Sequence, residues 1–140
     1  AAEPGQLRAG GHSDYGSFTL VNFDDAPGGL QVLGKDGEWV DVPVVGDSFV
    51  CNIGDLLEVW TNDRWVSTMH RVVVPPDERW EESERLSLVY FHEPNWNCVA
   101  EALPTCVSED NPSRYEPITA GEHNRRKVMR QQTLAGAEAS

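Results

Sequence analysis

Three residues have the types and spacing for chemistry on a bound metal. His12 and Asp14 stand in His12-Ser13-Asp14, and His70 stands in Ser67-Thr68-Met69-His70-Arg71-Val72-Val73-Val74. Two histidines and one carboxylate bind a first-row metal on one face and leave the opposite face open for other ligands. If residues 12–14 are extended, His12 and Asp14 are i and i+2, so both side chains leave the same side while Ser13 points away. His-x-Asp alone also fits a capped turn, and its meaning as a site depends on what stands downstream. His70 follows Asp14 by 70 − 14 = 56 positions, so several intervening strands must bring it back, which is work for a closed β framework.

The elements that would do this are short and mostly β. Residues Ala1 to Gly11 are small and polar. From Phe18 the chain reads as β segments broken by turn residues: Phe18 to Phe23, the turn Pro27-Gly28-Gly29, Leu30 to Leu33, and Gly34-Lys35-Asp36-Gly37. Asp36-Gly37 predicts a tight hairpin. In Glu38 to Val44 the alternation puts Val40, Val42 and Val44 on one side, the expected core face, and Trp39 with Asp41 and Pro43 on the other. Ser48 to Ile53 and Leu56 to Trp60 read as two further buried segments, and Trp65 to Val74 as a β-branched run that carries His70. Asp77 to Glu84 is too acidic to pack and reads as a solvated loop. Arg85 to Phe91 is a strand, with Leu86 and Leu88 on one face and Arg85, Ser87 and Val89 on the other.

Residues 96–117 contain Pro104, Pro112 and Pro117 and read as an irregular excursion. Thr119-Ala120-Gly121-Glu122 fits a capping box opening a polar helix through about Gln132. The basic residues Arg125, Arg126, Lys127 and Arg130 form its solvated face. The organisation expected is a barrel portion over 1–117, a C-terminal helix over 118–134 and a disordered tail over 135–140. The fold class is mainly β, a jelly-roll or cupin-like barrel with one late helix.

Composition narrows the function. A chain of 140 residues is one domain at most. Eleven basic against 23 acidic residues give a net charge of −12, which argues against nucleic-acid and anionic-membrane surfaces and favours small-molecule partners. No run approaches the roughly 20 apolar residues that span a bilayer, and no hydrophobic leader is evident, so the expected setting is cytoplasmic. Cys51, Cys98 and Cys106 form no CxxC pair and are expected to be reduced thiols. His92, at a strand end, and His123, on the polar helix, receive no functional role. The tryptophans read as packing or surface residues.

Arg85-Leu86-Ser87 gives the metal triad a context. An arginine facing a barrel interior is costly unless an anion meets it there. A carboxylate ligand would match its rigid fork bidentately, and Ser87, at i+2, can add a hydroxyl bond on the same side.

With these residues in hand, the sequence resembles the isopenicillin N synthase-like branch of the iron(II)/2-oxoglutarate-dependent oxygenases. The likeness runs from about Leu7 to Tyr115, through Gly11-His12-Ser13-Asp14-Tyr15-Gly16, Gly28-Gly29-Leu30-Gln31-Val32, Asn52-Ile53-Gly54-Asp55 and Ser67-Thr68-Met69-His70-Arg71-Val72. It implies a double-stranded β-helix in which His12, Asp14 and His70 bind Fe(II). It implies further that Arg85 and Ser87 bind the distal carboxylate of 2-oxoglutarate, and that Phe91 faces substrate. The activity implied is oxidation of a small organic molecule by O2 (hydroxylation, desaturation or ring closure), with 2-oxoglutarate released as succinate and CO2.

The sequence also departs from the family pattern. Val74 stands where family members usually carry Asn, and the acidic stretch between His70 and Arg85 is longer than usual. The N-terminal part that family members carry, including a tyrosine that helps hold 2-oxoglutarate, would precede Ala1. The chain is therefore expected either to pair with such a missing N-terminal segment or to dimerise through uncovered strands. Two other readings stand beside the oxygenase: a non-catalytic or incomplete metal-binding barrel fragment, and an Fe(II) oxidase on the same scaffold that does not use 2-oxoglutarate.

Overall fold

The computed structural model describes residues 6–26, 29–75, 81–82 and 84–138. Pro27 and Gly28 of the expected turn, residues 77–80 and 83 of the acidic loop, and the last two residues of the tail lie outside the described residues. The chain divides into two compact units that interleave in sequence. One comprises Ala1–Ser13, Thr19–Asn52 and Thr68–Tyr90, the other Asp14–Phe18, Ile53–Ser67 and Phe91–Ser140.

The first unit carries most of the β framework, with the end residues Phe18, Ile53, Phe91 and His92 of three strands falling in the second. Its strands are β1 (Leu7–His12), β2 (Phe18–Phe23), β3 (Gly29–Leu33), β4 (Trp39–Asp41), β5 (Val50–Ile53), β6 (His70–Val73) and β7 (Ser87–His92). They form a four-stranded sheet in the order β1-β6-β3-β4 and a three-stranded sheet in the order β5-β2-β7, the mainly β jelly-roll architecture expected. The late strand β6 lies between two early ones, antiparallel to both. The segment before His12, read only as small and polar, is strand β1. The hairpin between β3 and β4 forms as expected: Leu33 faces Trp39, Gly37 takes φ +85°, and the Glu38 N–H donates to Asp36 Oδ1 at 3.1 Å.

Alternation misled at β4. Of the expected valine face, Val40 is 51% exposed and Val44 is exposed, while Val42 and Trp39 are half-buried. The indole offers more surface than a valine. It lies 3.5 Å from the position a Cβ on Gly11 would occupy, and the Arg71 guanidinium sits 4.2 Å from its ring centroid. The run carrying His70 is also shorter than expected, since only His70–Val73 is strand.

The second unit holds the buried cluster. Leu56 to Trp60, expected as a buried segment, lies in helix α1 (Asp55–Thr61), and this unit also contains the short strands β8 (Val99–Ala100) and β9 (Ile118–Thr119) and helix α2 (Ala120–Glu138). A short apolar run cannot be assigned by periodicity alone. Here Leu56 and Val59, at i and i+3, share one face and pack with Ala100 and Ala120, against Trp60, Tyr115 and Ile118. Asn62 closes α1 in the left-handed region at φ 50° and knits it to the following excursion. Its amide donates to the Pro112 carbonyl at 3.1 Å and its Oδ1 accepts the Arg114 N–H at 3.0 Å.

At α2 the Thr119 half of the expected capping box is present, its hydroxyl accepting the Glu122 N–H at 3.2 Å, while the Glu122 carboxylate accepts from Arg125 and Arg126. The helix continues to Glu138 and so includes residues 135–138, expected in the tail. Among the described residues no helix is long and apolar enough to cross a membrane.

Candidate metal centre

His12 and His70 meet by strand register. They are paired positions of β1 and β6, and their ring centroids are 4.3 Å apart at an interplanar angle of 56°. Paired residues on antiparallel strands project to the same face. The pairing shifts between Leu7 and Ala9 and again between Ala9 and His12, an irregularity of the kind that re-aims a side chain beside a functional site.

Each imidazole is oriented by a main-chain carbonyl. His12 Nδ1 lies 2.8 Å from the Gly10 oxygen and His70 Nδ1 lies 3.1 Å from the Thr68 oxygen. A carbonyl only accepts, so each Nδ1 carries the hydrogen and each Nε2 keeps its lone pair for a metal. Asp14 stands two residues after the end of β1, and one donor atom from each of His12, Asp14 and His70 lies within 4.8 Å of the others. Asp14 and His70 are 5% and 6% exposed. Two imidazole nitrogens and a carboxylate oxygen in a shielded position fit a first-row divalent metal, and among the described residues no other group of three such side chains converges in this way.

Glycines allow the loop carrying Asp14 to sit closely against its supports. A Cβ on Gly16 would stand 2.6 Å from the His92 oxygen, and a Cβ on Gly54 would stand 2.3 Å from the Gly16 oxygen. At the start of α1, the N–H groups of Asp55, Leu56 and Gly54 donate to the carbonyls of Asp14, Gly16 and Ser17 at 2.9, 3.0 and 2.8 Å. The Ser17 N–H donates to the His92 oxygen at 3.1 Å, its hydroxyl lies 2.6 Å from His92 Nδ1, and the His92 ring stacks on Phe18. His92, at the end of β7, thus braces the loop that follows Asp14.

Arg85 and Ser87 also come together. Arg85 Nε donates to Ser87 Oγ at 3.4 Å, an NH group donates to the Ala26 carbonyl at 3.4 Å, and the guanidinium lies 4.5 Å from the Phe23 ring centroid. Burial pushes the Arg85 pKa down, against the opposing pull of Asp24. Gly29, beside the guanidinium, adopts φ +145°, a backbone conformation that favours glycine. Phe91 sits on β7 and is exposed.

Sequence reading missed the charged cluster on α1 and α2. Asp55 accepts from the Ser67 hydroxyl at 2.7 Å and lies 2.7 Å from Lys127 Nζ and 3.2 Å from His123 Nε2. Burial alone would raise its pKa, but hydrogen bonds from His123, Lys127 and Ser67 outweigh that and hold the carboxyl far below the usual range. Asp55 closes the quoted Asn52-Ile53-Gly54-Asp55 stretch, so the signal was present, but its partners lie 123 − 55 = 68 and 127 − 55 = 72 positions away. The second unit also contains a cavity of about 560 Å³ lined by Asp55, Glu58, Tyr115, His123 and Arg126 among others. Their polar ends are engaged within the protein: Tyr115 donates to Asp63 and Arg126 pairs with Glu122.

Comparison with known proteins agrees with this geometry. The family model described as the 2OG-Fe(II) oxygenase superfamily matches residues 2–94. Homoarginine-6-hydroxylase 2-ODD-C23 of Glycine max is 40% identical over 124 residues, covering 88% of this chain and 36% of that protein. 1-Aminocyclopropane-1-carboxylate oxidase 1 of Oryza sativa subsp. japonica is 46% identical over 104 residues, covering 74% of this chain and 30% of that protein. Among solved structures, a full-length Neurospora crassa protein in complex with alpha-KG and 5-formyluracil superimposes with a TM-score of 0.79 at 41% identity, over 89% of this chain and 40% of that one. The chain spans about a third of the length of the curated relatives it matches.

Proposed function

Because the chain belongs to the 2OG-Fe(II) oxygenase superfamily, we propose that it forms the metal-binding part of an Fe(II)/2-oxoglutarate-dependent dioxygenase that oxidises a small organic molecule. The observation that carries this reading is the convergence of His12, Asp14 and His70 donor atoms within 4.8 Å. Those three residues hold Fe(II). When bound, the metal with 2-oxoglutarate and O2 supplies the oxidising power, releasing succinate and CO2 as the substrate is oxidised.

The protein's own part is to hold and orient. The carbonyls of Gly10 and Thr68 keep both imidazoles in the tautomer that presents Nε2. Arg85, with Ser87 at its side, pairs with the distal carboxylate of 2-oxoglutarate, a role supported by its half-buried guanidinium. Phe91 contributes an apolar contact to the substrate. The free thiols of Cys51, Cys98 and Cys106 support a reducing, cytoplasmic setting, and the exposed apolar residues of β7 support association with a further segment or a second copy.

The test is calorimetry on chain loaded with metal under anaerobic conditions, followed by succinate release in air with a panel of small organic acids, amines and nucleobases. One equivalent of 2-oxoglutarate should bind, and a substrate should accelerate succinate release. Metal-loaded chain that binds no 2-oxoglutarate overturns the co-substrate assignment.

A further inference from the structure

Asp55 joins both ligand-bearing stretches of the chain to helix α2. Its main-chain N–H donates to the carbonyl of Asp14, the carboxylate member of the metal triad, at 2.9 Å. Its side chain accepts from the hydroxyl of Ser67, three residues ahead of His70, at 2.7 Å. The other carboxylate oxygen faces α2, 2.7 Å from Lys127 Nζ and 3.2 Å from His123 Nε2. Lys127 also stands 5.1 Å from the ring centroid of Tyr15, the residue after Asp14, so one lysine reaches both the loop and its anchor.

These contacts restrict the Asp14 loop from several sides. The carbonyls of Asp14, Gly16 and Ser17 each accept from the first turn of α1 or the residue before it. With Gly16 and Gly54 in backbone contact, the loop cannot slide along α1 without losing these bonds. Asp55 is partly buried, and removing one member of a partly buried charge cluster leaves the others uncompensated. Removing a group that orients a ligand from outside the coordination sphere typically costs about 10–100-fold in metal affinity.

We propose that Asp55 is a positioning residue for the metal ligand Asp14, and that helix α2, through Lys127 and His123, is the element that holds it in place. The C-terminal helix then sets metal affinity although it supplies no ligand. This inference rests on the proposed metal site and extends it to residues outside the triad.

The experiment measures Mn(II) affinity by calorimetry on the full chain, with the folded fraction checked by circular dichroism at the same temperature. Asp55→Asn and Lys127→Met should each weaken Mn(II) binding by about tenfold, while Lys127→Arg, which keeps the cation, restores it. Arg125→Gln, on the same helix but paired with Glu122, should bind as the wild type does. If Asp55→Asn does not fold, the Lys127→Met and Lys127→Arg pair carries the test alone. Folded variants with wild-type affinity, even at a lowered melting temperature, would show a purely structural role and overturn the inference while leaving the metal site standing. Wild-type chain that binds no Mn(II) removes the metal site itself, and the inference with it.

Discussion

His12 and His70, 58 positions apart, face one another across β1 and β6 with ring centroids 4.3 Å apart. Their neighbourhood follows from strand order, because β6 is inserted between β1 and β3. The pair should therefore act as one unit in metal binding. His70→Ala should abolish the single metal site seen by calorimetry or anomalous scattering. The loss should exceed the roughly 10–100-fold that removal of an outer-shell group produces. Mn(II), Co(II) or Ni(II) can replace Fe(II) in air for this measurement. Undiminished binding in the variant would remove His70 from the ligand set.

Arg85 should control 2-oxoglutarate binding without touching the metal. Losing one partner of a buried pair costs about 3–5 kcal/mol. Arg85 is only partly buried, so the lower figure applies, about a hundredfold in affinity at 1.4 kcal/mol per decade. Arg85→Gln is expected to lose that much while metal affinity stays near wild type. Arg85→Lys should be milder, because charge survives without the fork. Equal 2-oxoglutarate binding by Arg85→Gln would exclude the role.

Leu56 is fully buried, at the centre of the α1 cluster with Val59, Ala100 and Ala120. Leu56→Ala should destabilise the chain by about 2–5 kcal/mol, the cost of lost burial and a cavity. Urea unfolding followed by circular dichroism measures it. A shift below about 1 kcal/mol would mean that the cluster collapses around the smaller side chain.

The Asp55 carboxyl gives stability a defined pH dependence. Its folded pKa lies below the unfolded value, net of the opposing effect of burial, because His123, Lys127 and Ser67 bond the carboxylate. The unfolded chain therefore takes up the proton first. The contribution is complete well above the unfolded Asp value of about 4 and is lost as pH falls through that value toward the folded one. Urea midpoints of metal-free chain should drop between about pH 5 and 3, and Asp55→Asn should flatten that slope. An unchanged slope would show that other carboxylates dominate acid unfolding.

Strand β7 should make the isolated chain prone to self-association. Leu86, Leu88, Tyr90 and Phe91 are exposed, with Leu88 at 64%, and among the described residues β7 stands at the edge of its sheet. An apolar edge strand is a template for pairing, and a charge on it blocks that pairing. Leu88→Lys is expected to shift the chain toward monomer in light scattering. A wild-type chain that stays monomeric at high concentration would contradict this.

Residue type and local spacing made much of the protein legible. His12-Ser13-Asp14 and His70 could be read as a ligand set because metal binding demands particular donor atoms. Asp36-Gly37 could be read as a hairpin, and Thr119 to Glu122 as a helix start, because turn and cap chemistry is local. Tertiary structure decided the rest. Leu56 to Trp60 is helical because Leu56 and Val59 find one apolar surface to pack on, a choice that a short apolar run does not contain. Trp39 rather than Val40 is covered because Gly11 and Arg71 meet the indole. Asp55 gathers Ser67, His123 and Lys127 around one carboxylate. Two of those partners are separated from it by most of the second half of the chain, and no periodicity encodes which distant groups will meet; only the packed backbone brings them within hydrogen-bond reach.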